Sequence, residues 1–301
     1  MANHLDQMRA FKGVVEAGGF SRATGRTGMS RAAVSRHIGE LEDRLGIRLL
    51  HRTTRHMSLT EAGEAFYEKC SRILEDIENA ERSLTDAATG PQGALRVVAP
   101  VNFGLMDLGE AVVAFLREFP LIQLNLSLND QPVDPMQGGF DIAIRLSRTE
   151  PELPKTLDMA LLSQSTRILC ASPDYLKKNG CPDHPDALRD HQCLSYSYVE
   201  DPAIWRLTRD GTENVVPITA RVTTSAGRVL TSAAEEGLGI AYGPLAFFRD
   251  HLAKGTLTRV LGDYEVPRAS IFSLFERSRY VPAKIGAFNN FMERFFDGRI
   301  Y

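Results

Sequence analysis

The sequence predicts a multidomain α+β protein with an N-terminal winged helix-turn-helix, a long linker helix and a C-terminal α/β domain. Three observations predict it. Apolar residues recur at helical spacing through most of the first 90 positions, broken at glycine-centred turns. A basic, poorly periodic run flanked by two short apolar runs interrupts that pattern near residue 50. Past residue 93, strand-like and helix-like segments alternate. A length of 301 residues accommodates two or three domains, and 43% apolar with 24% charged residues is ordinary for a globular protein.

Leu5, Met8, Phe11, Val14 and Val15 fall at three- and four-residue steps and make a first amphipathic helix that stops at Gly18-Gly19. Phe20-Ser21 reads as an apolar residue followed by an N-cap, opening a short second helix that ends near Gly28-Met29. Ser30 caps a third helix over about 31–45, with Ala33, Val34, Ile38, Leu41 and Leu45 facing inward and Gly46 as its stop. A short helix, a glycine-containing turn and another helix make a helix-turn-helix. Ile47 to Leu50 and Met57 to Leu59, on either side of His51 to His56, then read as a hairpin with a basic tip, a wing.

Thr60 caps a long helix running to about residue 88. Its apolar positions Phe66, Cys70, Ile73, Ile77, Ala80, Leu84 and Ala87 keep an unbroken heptad spacing. Such a stripe either seals against a second copy of the chain or lies on the core of its own domain. The acidic remainder of the helix favours self-association. Thr89 to Gly93 is a hinge by composition.

Beyond the hinge, Leu95–Ala99, Ile122–Leu128, Asp141–Arg145, Arg167–Ala171, Gly239–Tyr242 and Ser270–Phe275 read as strands. Helices are expected over 104–119 and near 173–179, 226–236, 245–253 and 283–296. The alternation predicts a mainly parallel sheet with helical crossovers.

Composition narrows the function. Residues 1–60 carry ten Lys/Arg against five Asp/Glu, whereas residues 61–93 carry three against eight, within a net charge of -3. The head alone is therefore suited to a polyanion. Cys70, Cys170, Cys181 and Cys193 include no CxxC pair and no histidines lie at ligand spacing, so the thiols read as packing or surface groups, and no metal or cofactor is expected. The opening MANHLDQMRA lacks an apolar core, and no uninterrupted apolar run reaches the roughly 18 residues of a membrane helix. A cytoplasmic protein is expected. GxSxG, HExxH and GxxxxGK motifs are absent, and Gly237 to Gly243 has the wrong final spacing for a dinucleotide fingerprint. No catalytic residue is assigned.

Double-stranded DNA fits the head. A recognition helix offers short or polar residues at its N-terminus to base edges, and here these are Ser30, Arg31, Ala32, Ser35, Arg36 and His37. Arg31 and Arg36 suit bidentate contacts to guanine, while Arg52, Thr53, Thr54 and Arg55 at the wing suit phosphates or the minor groove. Taken singly, each arginine is equally explained as part of a solvated face. Cap, turn and wing in the right order favour DNA.

The run FSRATGRTGMSRAAVSRHIGELEDRLGIRLLHRTTRHMSLTEAG, Phe20 to Gly63, resembles the N-terminal signature of LysR-type transcriptional regulators. PQGALRVVAP, Asp141-Ile-Ala-Ile-Arg145, Ala171-Ser-Pro-Asp-Tyr175 and Glu236-Gly-Leu-Gly-Ile240 follow in that family's order, so the resemblance spans essentially the whole chain. Thr24, Gly25 and Thr27 depart from it. Gly25 is expected to weaken the second helix by about 1 kcal/mol relative to Ala, and Thr27 to weaken an apolar contact.

The resemblance implies DNA contacts from Arg31, Ala32, Ser35, Arg36 and Arg52, with a DNA-binding domain over 1–59. It implies a linker and hinge over 60–93 through which the chain forms a homodimer, and a tetramer as a dimer of dimers. It also implies action beside promoters, with RNA polymerase as a possible further partner. The remaining residues, 94–301, become an effector domain of two α/β lobes resembling periplasmic binding proteins, 94–164 with 269–301 and 165–268, the chain crossing near Ser163–Thr166 and Pro267–Ser270. Ligands of such folds sit at the carboxyl ends of strands in the crevice between lobes. That points to Val101, Asn102, Phe103, Arg145, Ser147, Thr224 and Ser225, with Trp205 and Tyr242 as further lining, although a lone Trp is more often part of a core. Arg145 is equally explained by a salt bridge within its lobe. Backbone N–H groups at the helix after Ser225 favour an anion, so a small carboxylate or phenolic effector is expected.

Overall fold

The computed structural model describes residues 4–52, 57–83, 90–131, 135–199 and 201–297. The chain divides into two compact units, Met1–Gly90 and Pro91–Tyr301.

In the first unit, helices α1 (His4–Ala17), α2 (Phe20–Thr27) and α3 (Arg31–Leu45) precede the antiparallel pair β1 (Leu50–Arg52) and β2 (Met57–Leu59), and helix α4 (Glu61–Ser83) follows. Ala10, Phe11, Val14, Ala23, Val34, Ile38, Leu41, Leu49, Leu50, Cys70 and Leu74 form its buried core. Ser30 caps α3 by accepting from the Ala33 N–H at 3.2 Å. Thr60 caps α4 by accepting from Gly63 N–H at 2.9 Å while donating to the Arg48 carbonyl at 2.8 Å. Gly63 has to lack a side chain, since a Cβ there would lie 2.0 Å from the Leu49 carbonyl oxygen.

Several expectations need correction. Gly19, not Ser21, occupies the N-cap of α2. Half-buried Phe20 packs on the core and draws the helix start forward by a residue, so that the Ser21 carbonyl accepts from Thr24 Oγ1 inside the first turn. Leu45 is 38% exposed rather than inward, because Gly46, with φ 67°, turns the chain and Leu49 and Leu50 fill the core instead. Thr27 is well accommodated. Its methyl sits against the bare Cα of Gly13, and its hydroxyl donates to the Ala23 carbonyl and accepts from Met29 N–H.

The heptad stripe of α4 is not one continuous free seam. Phe66 packs on Phe11 with ring centroids 5.5 Å apart, and Cys70 donates to the Met8 carbonyl. Leu74 rather than Ile73 joins this core, leaving Ile73 44% exposed. A straight helix repeats every 3.6 residues, so positions 66, 70 and 74 stay on one domain-facing line while 73 and 77 rotate away. The seam residues Leu84 and Ala87, and Thr89 of the hinge, lie outside the described residues.

The second unit holds two five-stranded sheets. The first runs in the order β4 (Ile122–Leu128), β3 (Gly93–Ala99), β5 (Ile142–Ser147), β14 (Ala269–Glu276), β6 (Leu157–Ser165). The second runs β11 (Ala220–Thr224), β8 (Cys193–Tyr196), β12 (Ile240–Pro244), β7 (Arg167–Ala171), β13 (Thr258–Val260). Both are mixed rather than mainly parallel. In the first, β3 is parallel to β4 and β5 while β14 is antiparallel to β5 and β6. In the second, β8 is parallel to β11 and β12 while β7 is antiparallel to β12 and β13. The reason is topological. The chain leaves the first sheet along β6, passes through Thr166 into β7, and re-enters it along β14, so the two crossing strands run against their neighbours.

On the first sheet, helix α5 (Gly109–Glu118) and the C-terminal α9 (Ala283–Phe296) bring Phe115 against Phe288 and Phe291, at 5.3 and 5.4 Å between ring centroids. The second sheet is covered on both faces. Trp205, Leu207, Tyr242 and Tyr264 pack on one, and Leu230, Phe247 and Phe248 on the other. The helices on this sheet are α6 (Pro173–Asn179), α7 (Gly227–Glu235) and α8 (Leu245–Lys254), and a hairpin of β9 (Ile204–Arg209) with β10 (Thr212–Pro217) stands beside it.

Candidate functional site

The helix-turn-helix presents its polar residues through a rigid frame. Gly28, with φ 66°, closes α2, and Ser30 starts α3. Because successive helical residues advance by about 100°, Val34, Ile38 and Leu41 turn into the core while Arg31, Ala32, Ser35 and Arg36 stay exposed on one face at the helix start. Arg36 is 67% exposed in its side chain, with its Nε 3.7 Å from Glu40, so it is loosely held and can swing to a base. Ser30 is partly committed, since its Oγ caps the helix. His37 is half-buried and belongs to the domain's packing rather than to the exposed face.

Sequence reasoning missed Glu42. It is 2% exposed, and its Oε1 accepts from the N–H groups of Leu49 (2.9 Å) and Leu50 (3.2 Å) while Oε2 meets Arg48 at 3.0 Å. One carboxylate thus ties the recognition helix to the strand that leads into the wing. The signal was an acid on the apolar side of an otherwise regular helix pattern. Of Arg52, only the backbone, in β1, is described; Thr53, Thr54 and Arg55 lie outside the described residues.

In the second unit, a cavity of about 580 Å³ opens between the two sheets, at the carboxyl ends of β3 and β5. Asn102, Phe103, Arg145 and Ser147 all line it, alongside Arg148, Arg167, Tyr196 and Tyr198. The first turn after β3, Val101–Phe103, runs through a π-helical stretch, Gly104–Leu108, into α5, so the helical segment starts earlier than expected and carries Asn102 into the cleft.

Asn102 bridges the lobes. Its Nδ2 donates to the Ser225 carbonyl at 2.7 Å and the Tyr196 hydroxyl at 3.1 Å, and its Oδ1 accepts from Gly227 N–H at 3.1 Å. At the helix after Ser225, where an anion is expected, the Asn102 carboxamide oxygen takes the Gly227 N–H and Thr224 Oγ1 takes the Ala226 N–H. Thr224 and Ser225 accordingly do not line the cavity; the Thr224 hydroxyl accepts from Ala226 N–H. Val101 points its N–H at Asp130 Oδ1, at 2.9 Å, and does not line the cavity either. A second bridge joins Asp107 of the π stretch to Arg249 of α8 at 3.6 Å. Burial holds the Asp107 carboxyl above the usual range, opposed by the Arg249 guanidinium.

Tyr242 does not line this cavity, and Trp205 takes the core alternative. Trp205 is fully buried, packs on Tyr242 at 5.2 Å, and donates to Ser195 Oγ. Tyr242 instead borders a separate cavity of about 300 Å³, with Arg148, Arg167, Asp201 and Arg206. Burial pushes the Tyr196 hydroxyl up to about 12, so it is a neutral donor and acceptor in the cleft. Among the described residues, no group of three or more His, Cys, Asp or Glu side chains is placed to hold a metal ion, and no helix is long and apolar enough to cross a membrane.

Comparison with known proteins agrees with both halves. Residues 5–64 match the family described as bacterial regulatory helix-turn-helix protein, lysR family, and residues 88–297 match the LysR substrate binding domain. The HTH-type transcriptional regulator DmlR of Escherichia coli is 30% identical over 97% of this chain and 94% of its own length. Among solved structures, the virulence activator AphB of Vibrio cholerae is 32% identical with a TM-score of 0.59, covering 97% of this chain and 99% of that one. CrgA of Neisseria meningitidis is 29% identical with a TM-score of 0.61, covering 97% and 98%.

Proposed function

We propose that this chain, which belongs to the LysR family of bacterial transcriptional regulators, reads promoter DNA with the start of α3 and changes its activity there when a small molecule occupies the interlobe cleft. It is a DNA-binding regulator carrying a substrate-binding domain, and its relatives are regulators rather than enzymes. The observation that carries the finer reading is the exposed Arg31, Ala32, Ser35, Arg36 face, set on a helix capped by Ser30 and braced by Glu42. In this reading Arg31 and Arg36 take guanine edges, while Ser30, Arg52, Thr53 and Arg55 hold phosphates. The chain works in the cytoplasm as a homo-oligomer, to which the exposed outer side of α4 contributes. Asn102, Phe103, Arg145 and Ser147 contact the effector, while Val101, Thr224, Ser225 and Tyr242 act behind them.

Fluorescence anisotropy on the DNA upstream of the chain's own gene, against a scrambled duplex at physiological salt, tests this. Arg36→Ala is expected to cost about 1–3 kcal/mol on the specific duplex and much less on the scrambled one. Equal losses on both would reduce Arg36 to a phosphate contact, and no binding to either duplex would overturn the promoter reading.

A further inference from the structure

Arg167 opens β7, immediately after the chain crosses from one lobe to the other. It is 8% exposed, yet it borders both the interlobe cavity and the smaller one behind it. Its direct hydrogen-bonding contacts are with neutral groups, and the Arg148 guanidinium borders the same two cavities. Nη2 donates to the Tyr198 carbonyl at 3.4 Å, the Tyr242 hydroxyl lies against the guanidinium, and Nε is buried without a hydrogen-bond partner. Among the described residues Arg167 forms no ion pair. The carboxylates that border the two cavities are turned elsewhere: Asp107 to Arg249, Asp130 to Val101 N–H, and Asp201 to Ala203 N–H.

A guanidinium cannot shed its proton, and a buried charge is tolerated only when an opposite charge and hydrogen bonds meet it. The group presents a planar fork of donors matched to a carboxylate. Around it the cavity wall is largely apolar, with Val98, Phe103, Ile144, Ala246, Phe247 and Ile271. Such a wall suits a hydrocarbon or aromatic body, while polar groups such as Asn129, Gln131 and Thr149 border the rest of the cavity.

We propose that Arg167 is the anion anchor of the cleft, holding the carboxylate of an effector whose body is apolar. The inference rests on the reading of the cleft as the effector site and deepens it to a ligand class and an anchoring residue. The charge is bound at the lobe crossing, where Ser165 pairs with Ala269 across the two connecting strands. An occupant at that point touches the segment about which the lobes are joined.

Calorimetry on the full-length protein tests it with matched pairs of acid and primary amide: acetate and acetamide, benzoate and benzamide, 3-phenylpropionate and 3-phenylpropionamide. Trp205, the single tryptophan of the chain, packs on Tyr242 beside Arg167 and reports locally through its emission. The expected result is saturable binding of at least one aryl acid with a change in Trp205 emission, weaker binding of acetate, and no binding of the matching amide. Arg167→Gln is expected to weaken the acid by about thirtyfold or more. Amides binding as well as acids, or acids binding Arg167→Gln undiminished, would overturn the anchor while leaving the cleft as a ligand site. No heat from any acid would overturn the carboxylate assignment. The anisotropy measurement on DNA, run on the same sample, reports separately on the regulator reading. Should Arg167→Gln fail to fold, the acid-against-amide comparison on the unaltered protein still decides.

Discussion

Replacing Asn102 by alanine removes a single exposed-to-buried bridge whose three partners are all in the opposite lobe. The bonds to Ser225 O, Tyr196 Oη and Gly227 N measure 2.7, 3.1 and 3.1 Å. At about 0.5–1.5 kcal/mol net for each, the set contributes about 1.5–4.5 kcal/mol to holding the lobes in this arrangement. The Ser225 contact is exposed, which places the expected value near 2 kcal/mol, or about thirtyfold in an equilibrium constant. The direct readout is hydrogen exchange at the Gly227 amide, whose acceptor is Asn102 Oδ1. In Asn102→Ala that amide is expected to exchange about ten- to a hundredfold faster. The neighbouring Ala226 amide donates locally to Thr224 Oγ1 and serves as an internal control that stays unchanged. Exchange at Gly227 within twofold of the unaltered protein would refute the reasoning. It would mean that the Asp107–Arg249 pair and the connecting strands hold the lobes without help.

Two further outcomes are expected. A Cβ at Gly25 meets nothing within 4 Å, so Gly25→Ala should stabilise the DNA-binding unit by about 0.5–1 kcal/mol through helix propensity alone; thermal unfolding of the full chain that failed to move upward would contradict this. Cys181 is exposed, whereas Cys70, Cys170 and Cys193 are buried. Burial pushes the Cys70 and Cys193 thiols up to about 11 and 12, and the Cys170 thiol also upward. At neutral pH one thiol per chain should therefore react quickly with a disulfide reagent, and four only after unfolding; a second fast equivalent in the native protein would show that one of these sites opens.

The helical head was legible because its signals are local. Gly28, Ser30 and Gly46 set the ends of α3 whatever surrounds them, and the spacing of Val34, Ile38 and Leu41 fixes which face is left for DNA. The errors lie where tertiary packing outweighs spacing. Phe66, Cys70 and Ile73 keep a heptad spacing, but Leu74 rather than Ile73 joins Phe66 and Cys70 on the core, by helical geometry. In the α/β half, strands with continuous apolar runs such as β7 were readable. β6 was not, because LDMALLSQS mixes polar and apolar residues along a strand at the edge of its sheet. The hairpin β9–β10 was hidden similarly, with Thr208, Arg209, Asp210 and Thr212 breaking any strand pattern.

The cleft shows a deeper reason why sites are less legible than folds. Backbone N–H groups before a helix were a sound reason to place an anion beside Ser225, since such groups do attract negative charge. What the sequence does not display is that Asn102, more than 120 positions earlier in the chain, takes the Gly227 N–H of that helix end with a neutral carboxamide. With the Gly227 and Ala226 N–H groups taken, side chains become the stronger source of attraction for an anion. Of the guanidiniums at the cavity, Arg167 combines deep burial with the absence of an ion pair among the described residues, so it gains most from an incoming negative charge. Acid selectivity should therefore depend on one residue at the lobe crossing rather than be spread around the wall, and a single substitution there should abolish it.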